Sequence, residues 1–284
     1  MMPIDLVLVR HGQSEGNLAN QFSYADDKRG FTEAFKARPS SSWRLTDLGI
    51  EQSEAAGVWI RANVFHKHDL DMPLTEFDRS YVSFYVRAME TAAHLGLGGR
   101  WLMELYLREL DWGQLDVMSQ AERWANFERE MKRRERDGLY WAPPGGESMA
   151  HGSLRVDRIL HTLHRECSDK QVGIVCHGQI MRLFQLRIER VPFPEFIKLA
   201  ATENEVDKIH NGQILHYTRR DPQTSSLGSY MEFVRSVCPW DFSKSTNEWR
   251  RIKRQNYSAD DLLKIVEGYP RIWGKPEDLK GDNE

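Results

Sequence analysis

The stretch "IDLVLVRHGQSEGN", residues 4–17, decides how the chain is read. Ile4, Leu6, Val7, Leu8 and Val9 make a short, β-branched, nearly continuous apolar run, the pattern of a strand buried on both faces. The run ends in Arg10, His11 and Gly12, and the chain then turns polar. Ligands of open α/β sheets bind at the carboxyl ends of strands, so a cation and an imidazole at that end point to chemistry more than to packing.

The same theme returns in "QVGIVCHG", where Val172, Ile174, Val175 and Cys176 form a second buried run closed by His177 and Gly178. Between the two lie the signals of an alternating fold. Thr46 reads as a helix cap with Asp47 in the first turn, and Leu48, Gln52, Ala55, Ala56 and Trp59 share a face of a helix over 47–62. A strand is expected over Phe77 to Val82, followed by a helix through Ala88, Thr91, Ala92 and Leu95. Ser148 caps a helix running to about Glu166 with Val156, Ile159, Leu160 and Leu163 inward. A further helix passes through Ile180, Leu183 and Phe184, and "GQILHYT" is a last strand. Strands alternating with helices predict an α/β fold of three layers, α/β/α, around a mainly parallel sheet.

Three segments stand outside that rhythm. Leu18 to Trp43 reads as a long polar connection, a length that goes with function or mobility. The block at about 100–147 reads as a helical cap insertion, with Trp124, Phe127 and Met131 on one face. Beyond about Arg220 the pattern becomes a polar, tryptophan-dotted tail with no sheet element, and Trp240, Trp249 and Trp273 are expected to anchor it. The expected organisation is therefore a body over 1–220 and a C-terminal extension over 221–284, packed on the body or partly flexible.

The 284 residues carry a net charge of −3 and 40% apolar side chains, which fits one sizeable core and gives no pull toward nucleic acid or anionic membranes. "KRRER", Lys132 to Arg136, reads as a solvated helix face. Cys167, Cys176 and Cys238 are odd in number and lack CxxC spacing, which suggests free thiols in a reducing compartment. With no membrane-length apolar run and no secretory pattern at the start, a cytoplasmic protein is expected. His161 and His164 resemble half a metal site, with no third ligand at suitable spacing.

Neighbouring strand ends converge in a parallel sheet, so Arg10, His11, Arg87 and His177 can meet in one pocket. Two guanidinium groups there match a phosphoryl dianion with planar, permanently charged donors. An unprotonated imidazole nitrogen can attack phosphorus while the other imidazole donates to its oxygens.

Taken in order, "LVRHGQSEGN", "SFYVRAMETA", "LRELDWG", "PGGES" and "IVCHGQIMR" resemble the histidine phosphatase superfamily, which holds acid phosphatases and cofactor-dependent phosphoglycerate mutases. The resemblance covers about residues 4–218 and rests on the RHG motif with four further motifs in register. It implies that His11 is the nucleophile that becomes phosphohistidine, that Arg10, Arg87 and His177 hold the phosphoryl oxygens, and that Glu109 is the general acid and base. It also places Asn17, Glu147 and Gly178 in or around the phosphate pocket, with Glu147 ordering the charges. No metal and no cofactor are implied, because arginines do the electrostatic work that Mg²⁺ does elsewhere. The implied partner is a small phosphorylated substrate, with a phosphoprotein as the wider option; nothing indicates an oligomeric state.

Phosphatase and mutase share the first step. In the mutases basic and tyrosine residues follow the donor glutamate, whereas here Leu110, Asp111 and Trp112 follow Glu109. An acidic Asp111 near the mouth is expected to repel a second anionic group, which favours a hydrolase over a mutase; against the other alternative, a non-catalytic phosphate binder, stands the presence of all the expected reactive residues. The Leu115-Asp116-Val117 run departs from the Glu-Gly pair of many phosphatases. Trp112, Trp124, Tyr140 and Trp141 are expected to form an apolar wall over the pocket.

Overall fold

The computed structural model describes residues 1–25, 27–65 and 75–275. Its main unit runs from Met1 to Lys253, and a second begins at Arg254. Strands β1 (Asp5–Arg10), β2 (Arg79–Ser83), β3 (Trp101–Glu104), β4 (Gln171–Cys176), β5 (Ile214–Thr218), β6 (Phe233–Val237) and β7 (Arg250–Arg251) form one sheet in the order β3-β2-β4-β1-β5-β6-β7. The four from β3 to β1 are mutually parallel, and β5, β6 and β7 continue antiparallel.

Alternation along β1 sets the layers. Leu6 and Leu8 enter one core with Val156, Ile159 and Leu163 of α6 (Met149–Glu166) and Ile180, Leu183 and Phe184 of α7 (Gly178–Glu189). Val7 and Val9 enter the opposite core with Ala56, Trp59 and Ile60 of α3 (Asp47–Asn63) and Ala88 and Ala92 of α4 (Val86–His94). A strand buried on both faces has no polar alternation, which is why its sequence reads as a continuous apolar run. Thr46 caps α3 through Gly49 N–H and Ser148 caps α6 through His151 N–H, as the sequence predicts.

Four expectations are corrected. The segment Leu18–Trp43 is not an open connection: α1 (Glu15–Tyr24) begins before it, and α2 (Glu33–Lys36) lies within it. Ser14 and Asn17 cap α1 reciprocally, while its inward residues, Gly16 and Ala19, are too small to leave an amphipathic signature. The block after Arg100 opens with an edge strand, β3, before its helix α5 (Gln120–Asp137). Phe127 in α5 has non-helical angles (φ −137°, ψ 35°), so the anticipated stripe breaks there: Met131 is buried and Trp124 is exposed. Lastly, the sheet does not end near Arg220, because β6 pairs along the whole of β5 and β7 pairs β6. Half-polar side chains such as Arg235 and Ser236 hid β6 from its apolar pattern.

Two of the tail tryptophans do anchor. Trp240 donates Nε1–H to the Asn211 carbonyl at 2.8 Å, and Trp249 meets His216 edge-on at 4.9 Å. Between α7 and β5 lies α8 (Phe193–Ala200), and the second unit contains α9 (Ala259–Glu267), closed by a Ser258/Asp261 capping box. Trp273, also in that unit, is exposed. All three cysteines are buried and free. Among the described residues no helix is long and apolar enough to cross a membrane.

Candidate active site

The carboxyl ends of β1, β2 and β4 open onto one pocket of about 290 Å³. Arg10, His11, Asn17, Arg87 and Glu109 all line it. Gly12 lets the chain leave β1 at the required angle: a Cβ there would lie 2.1 Å from the Gly49 carbonyl oxygen at the start of α3.

His11 is almost wholly buried, and its Nδ1 lies 2.7 Å from the Gly12 carbonyl. A carbonyl can only accept, so the proton sits on Nδ1 and Nε2 keeps its lone pair. That Nε2 accepts Arg87 Nε–H at 3.1 Å. Burial, then the charges of Arg87 and Arg10, hold the imidazole well below its ordinary value, so it is neutral at physiological pH. Arg87 is itself fixed by donating to the Ser40 carbonyl at 2.7 Å and stacking on Tyr85.

Arg10 donates Nη1–H to the Ile209 carbonyl, and burial lowers it to about 10, leaving it charged at neutral pH. Its Nε and His177 Nδ1 are buried polar atoms with no partner among the described residues. Such groups are rare in folded proteins because each costs free energy unless satisfied. Both belong to residues next to His11, Arg10 in sequence and His177 in space. His177 does not line the open pocket; it lies beneath it, fully buried, with its ring centroid 5.0 Å from that of His11 and Nε2 hydrogen-bonded to Ser83 Oγ at 2.8 Å. Gly178 is likewise behind the lining, where a Cβ would stand only 3.2 Å from Arg10 Nε.

Asn17 Oδ1 accepts from Ser14 N–H, Ser14 Oγ–H and Asn211 Nδ2–H, so its own amide nitrogen is the group left to face a ligand. The Glu109 carboxylate accepts Leu110 N–H at 3.0 Å, with Gln179 N–H at 3.5 Å. Burial raises it above its ordinary value in spite of Arg87 and Arg10, which keeps a proton available in a cationic pocket.

Glu147 stands around the main pocket and does not line it. It lines a small neighbouring cavity and pairs bidentately with Arg155 at 2.7 Å. Arg155 Nη1 in turn donates to the carbonyls of Tyr106 and Arg108, so the pair braces the segment that carries Glu109. Asp111 is exposed and turns its carboxylate to Gly113 N–H; it lines the small neighbouring cavity, not the main pocket, and its charge acts on Tyr85 and Asp116 of the main one. Of the proposed aromatic wall only Trp112 lines the main pocket, with Trp141 edge-on behind it at 6.2 Å; Trp124 and Tyr140 are exposed.

Sequence reasoning missed Asp116, Arg123 and Arg134, which all line the pocket. Residues 123 and 134 are eleven apart, close to three helical turns, so a shared helix face was the available signal. Among the described residues no cluster of three or more metal-ligating side chains occurs.

The family model of the histidine phosphatase superfamily (branch 1) matches residues 6–213. A 2,3-bisphosphoglycerate-dependent phosphoglycerate mutase of Methylorubrum extorquens (strain PA1) is 31% identical over 190 residues, 62% of this chain and 75% of that one. The protein of the same name from Azorhizobium caulinodans is 30% identical over 199 residues, 66% and 82% of the two chains. Among solved structures, a putative alpha-ribazole-5'-P phosphatase from Escherichia coli superposes with a TM-score of 0.57 at 17% identity, covering 81% of this chain and 96% of its own. A mycobacterial glucosyl-3-phosphoglycerate phosphatase gives 0.56 at 19%, covering 89% and 99%. The last two likenesses are of fold. With the family model spanning most of the sheet and its motifs meeting in one pocket, the chain belongs to the histidine phosphatase superfamily, branch 1.

Proposed function

We propose that this protein hydrolyses a phosphomonoester without a metal, through a phosphohistidine on His11. The observation that carries the reading is the Gly12 carbonyl on His11 Nδ1, which leaves the Nε2 lone pair as the nucleophile inside a pocket of arginines. An incoming phosphoryl group takes the donors of Arg87 and Arg10 that now meet Nε2 or lack a partner. Nε2 attacks phosphorus, the P–O ester bond breaks, and Glu109 protonates the departing oxygen. Glu109 then removes a proton from water as that water attacks the N–P bond, freeing inorganic phosphate and neutral His11. The guanidinium groups stabilise charge on the equatorial oxygens in both steps.

Water as the acceptor is favoured by the segment Leu110-Asp111-Trp112, which sets no cation directly beside Glu109. Phosphoryl transfer of the mutase type is the second reading. It is favoured by the relatives named as phosphoglycerate mutases and by the two further arginines in the pocket. Turnover of p-nitrophenyl phosphate with and without EDTA tests the proposal. Hydrolysis that survives chelation and disappears in His11→Ala is expected; turnover that persists in His11→Ala overturns it. Incubation with 3-phosphoglycerate and a bisphosphate primer distinguishes release of phosphate from its migration.

A further inference from the structure

A second cavity, of about 620 Å³, lies where α7 and α8 meet β5, β6 and the residues that lead into β7. It shares no lining residue with the pocket at His11. Leu199, Val206, Val234 and Trp249 give it apolar walls, and α7 turns a polar face to it. That face is Arg182, Gln185 and Glu189, at the spacing of one helix face, and each is at least nine-tenths buried. Glu189 is matched: Tyr217 Oη–H and Arg250 Nη2–H both donate to its carboxylate, at 2.9 and 2.6 Å. Arg182 is not. Its Nη1 donates to Gln185 Oε1 at 2.8 Å and its Nη2 to the Asp207 carbonyl, both neutral acceptors, and it forms no ion pair among the described residues.

A guanidinium so far withdrawn from water, with no opposite charge beside it, is unfavourable: burial brings Arg182 down to about 10, which still leaves it charged at neutral pH. A carboxylate placed on it completes a charge-assisted pair, since two oxygens fit the guanidinium fork. An apolar body behind that carboxylate covers Leu199, Val234 and Trp249. The cavity is also tied to the catalytic pocket. Asp207 and Ile209 both line it, and while the Asp207 carbonyl accepts from Arg182, the Ile209 carbonyl accepts Arg10 Nη1–H at 2.5 Å. Two residues further on, Asn211 donates to the His11 carbonyl. The charge of Arg182 acts on Arg10 through space as well.

We infer that this cavity is an effector site for a small organic acid with an apolar body, held by its carboxylate on Arg182, and that filling it weakens the hold of the His11 pocket on phosphate. Two effects share that sign. The acid's negative charge lowers the positive potential that Arg182 adds at Arg10. Drawing Arg182 off the Asp207 carbonyl also loosens the segment whose Ile209 carbonyl holds Arg10. The acid site stands without the hydrolase reading; only the linked effect rests on phosphate binding beside His11.

Calorimetric titration of the full chain tests this with matched acids and amides: 3-phenylpropionate with 3-phenylpropionamide, hexanoate with hexanamide, and indole-3-acetate with indole-3-acetamide. In at least one pair the acid binds about tenfold tighter than its amide or more. Leu199→Trp, which fills the cavity and leaves the hydrogen bonds of Arg182 in place, abolishes that binding. Arg182→Met, whose fold is checked by circular dichroism, reduces the acid to the affinity of the amide. Equal affinities in all three pairs, or a preference for the acid that survives either substitution, overturn the site. Saturating acid then raises the Kd of inorganic phosphate to a plateau about fivefold higher or more, and phosphate raises the Kd of the acid by the same factor. A rise without a plateau means that the acid competes inside the His11 pocket, and an unchanged Kd means a cavity without influence; either overturns the effector role. Phosphate that fails to bind in the absence of acid refutes the His11 reading, while the comparison of acid with amide still decides the cavity.

Discussion

The Gly12 carbonyl sits 2.7 Å from Nδ1 of the preceding residue, His11, and by accepting a hydrogen bond there keeps the proton on Nδ1 and the lone pair on Nε2. The imidazole is held well below its ordinary value, so it stays neutral as pH falls through the range where histidine normally charges. Glu109 is shifted the other way, upward, so its acid form persists to higher pH than that of an ordinary glutamate. Activity toward an ester that needs the proton therefore falls as pH rises through the raised Glu109 value, with no loss from His11 charging as pH drops through the ordinary histidine range. A profile of kcat/KM for an alkyl phosphate, corrected for the substrate's own ionisation, checks this; a loss on acidification centred near 6.5 contradicts it.

Replacing the acid separates the two chemical steps. p-Nitrophenolate leaves without a proton, so Glu109→Gln still phosphorylates His11 but cannot activate water efficiently. A burst of p-nitrophenol stoichiometric with enzyme is expected, followed by slow turnover. An alkyl ester, which needs the proton at once, shows no burst and loses about 10²–10⁴-fold in rate. Stopped-flow absorbance and acid-quench detection of phosphoenzyme read both outcomes.

The Arg155–Glu147 pair acts on catalysis through position. Arg155→Met leaves the nearly buried Glu147 carboxylate with Arg108 alone, at 3.6 Å, and releases the carbonyls of Tyr106 and Arg108. Breaking a buried pair from one side costs about 3–5 kcal/mol, so the melting temperature falls measurably. The kinetic mark is a larger drop in kcat/KM for alkyl esters than for p-nitrophenyl phosphate, because phosphorylation of His11 needs the Glu109 proton only with the former, while hydrolysis of the phosphoenzyme slows alike for both.

Two glycines of the site respond differently to a methyl group. Gly12→Ala drives a Cβ into the Gly49 carbonyl at 2.1 Å, where backbone meets backbone, and the folded protein is lost. In Gly178→Ala the nearest atom is Arg10 Nε at 3.2 Å, on a side chain that can yield. That variant folds, and KM for phosphate esters rises several-fold as Arg10 is displaced. Thermal melts and steady-state kinetics distinguish the two.

At the far end of β1, burial opposes ionisation of Asp5, but the hydrogen bond and charge of His216, 2.9 Å away, outweigh it and bring the carboxyl to about 2. A carboxyl depressed on folding stabilises above its unfolded value and loses that contribution as pH falls through the folded one. The contribution is about 2 kcal/mol at neutral pH and fades between about pH 4 and pH 2. Asp5→Asn lowers stability at pH 7 and flattens that acid slope, as denaturant titrations at several pH values will register.

The polar residues at the strand ends were legible because an apolar run stopping at Arg10-His11-Gly12 or His177-Gly178 has few packing explanations. Thr46 and Ser148 announced their helices because a cap is a local device. By contrast, β6 escaped notice since an antiparallel strand on the flank of a sheet tolerates Arg235 and Ser236 on its faces. The second arginine pair was hidden for a different reason. Arg123 sits in an acid- and base-rich helix whose expected inner face was Trp124, Phe127 and Met131, and neither the break at Phe127 nor the Trp112 ring against Arg123 carries a signal in the sequence. Glu147 shows the converse: its motif was visible, yet the partner that gives it a purpose, Arg155, lies eight residues on and carries no signal of its own.

One tie spans nearly the whole main unit. Asn211 donates to the His11 carbonyl at 3.1 Å and to Asn17 at 3.0 Å, while its own carbonyl is held by Trp240. During synthesis the ribosome releases residue 11 some two hundred residues before the bond that fixes it can form. A nascent chain arrested between Asn211 and Trp240 thus holds the asparagine that joins His11 to Asn17 while still lacking the indole that fixes its carbonyl.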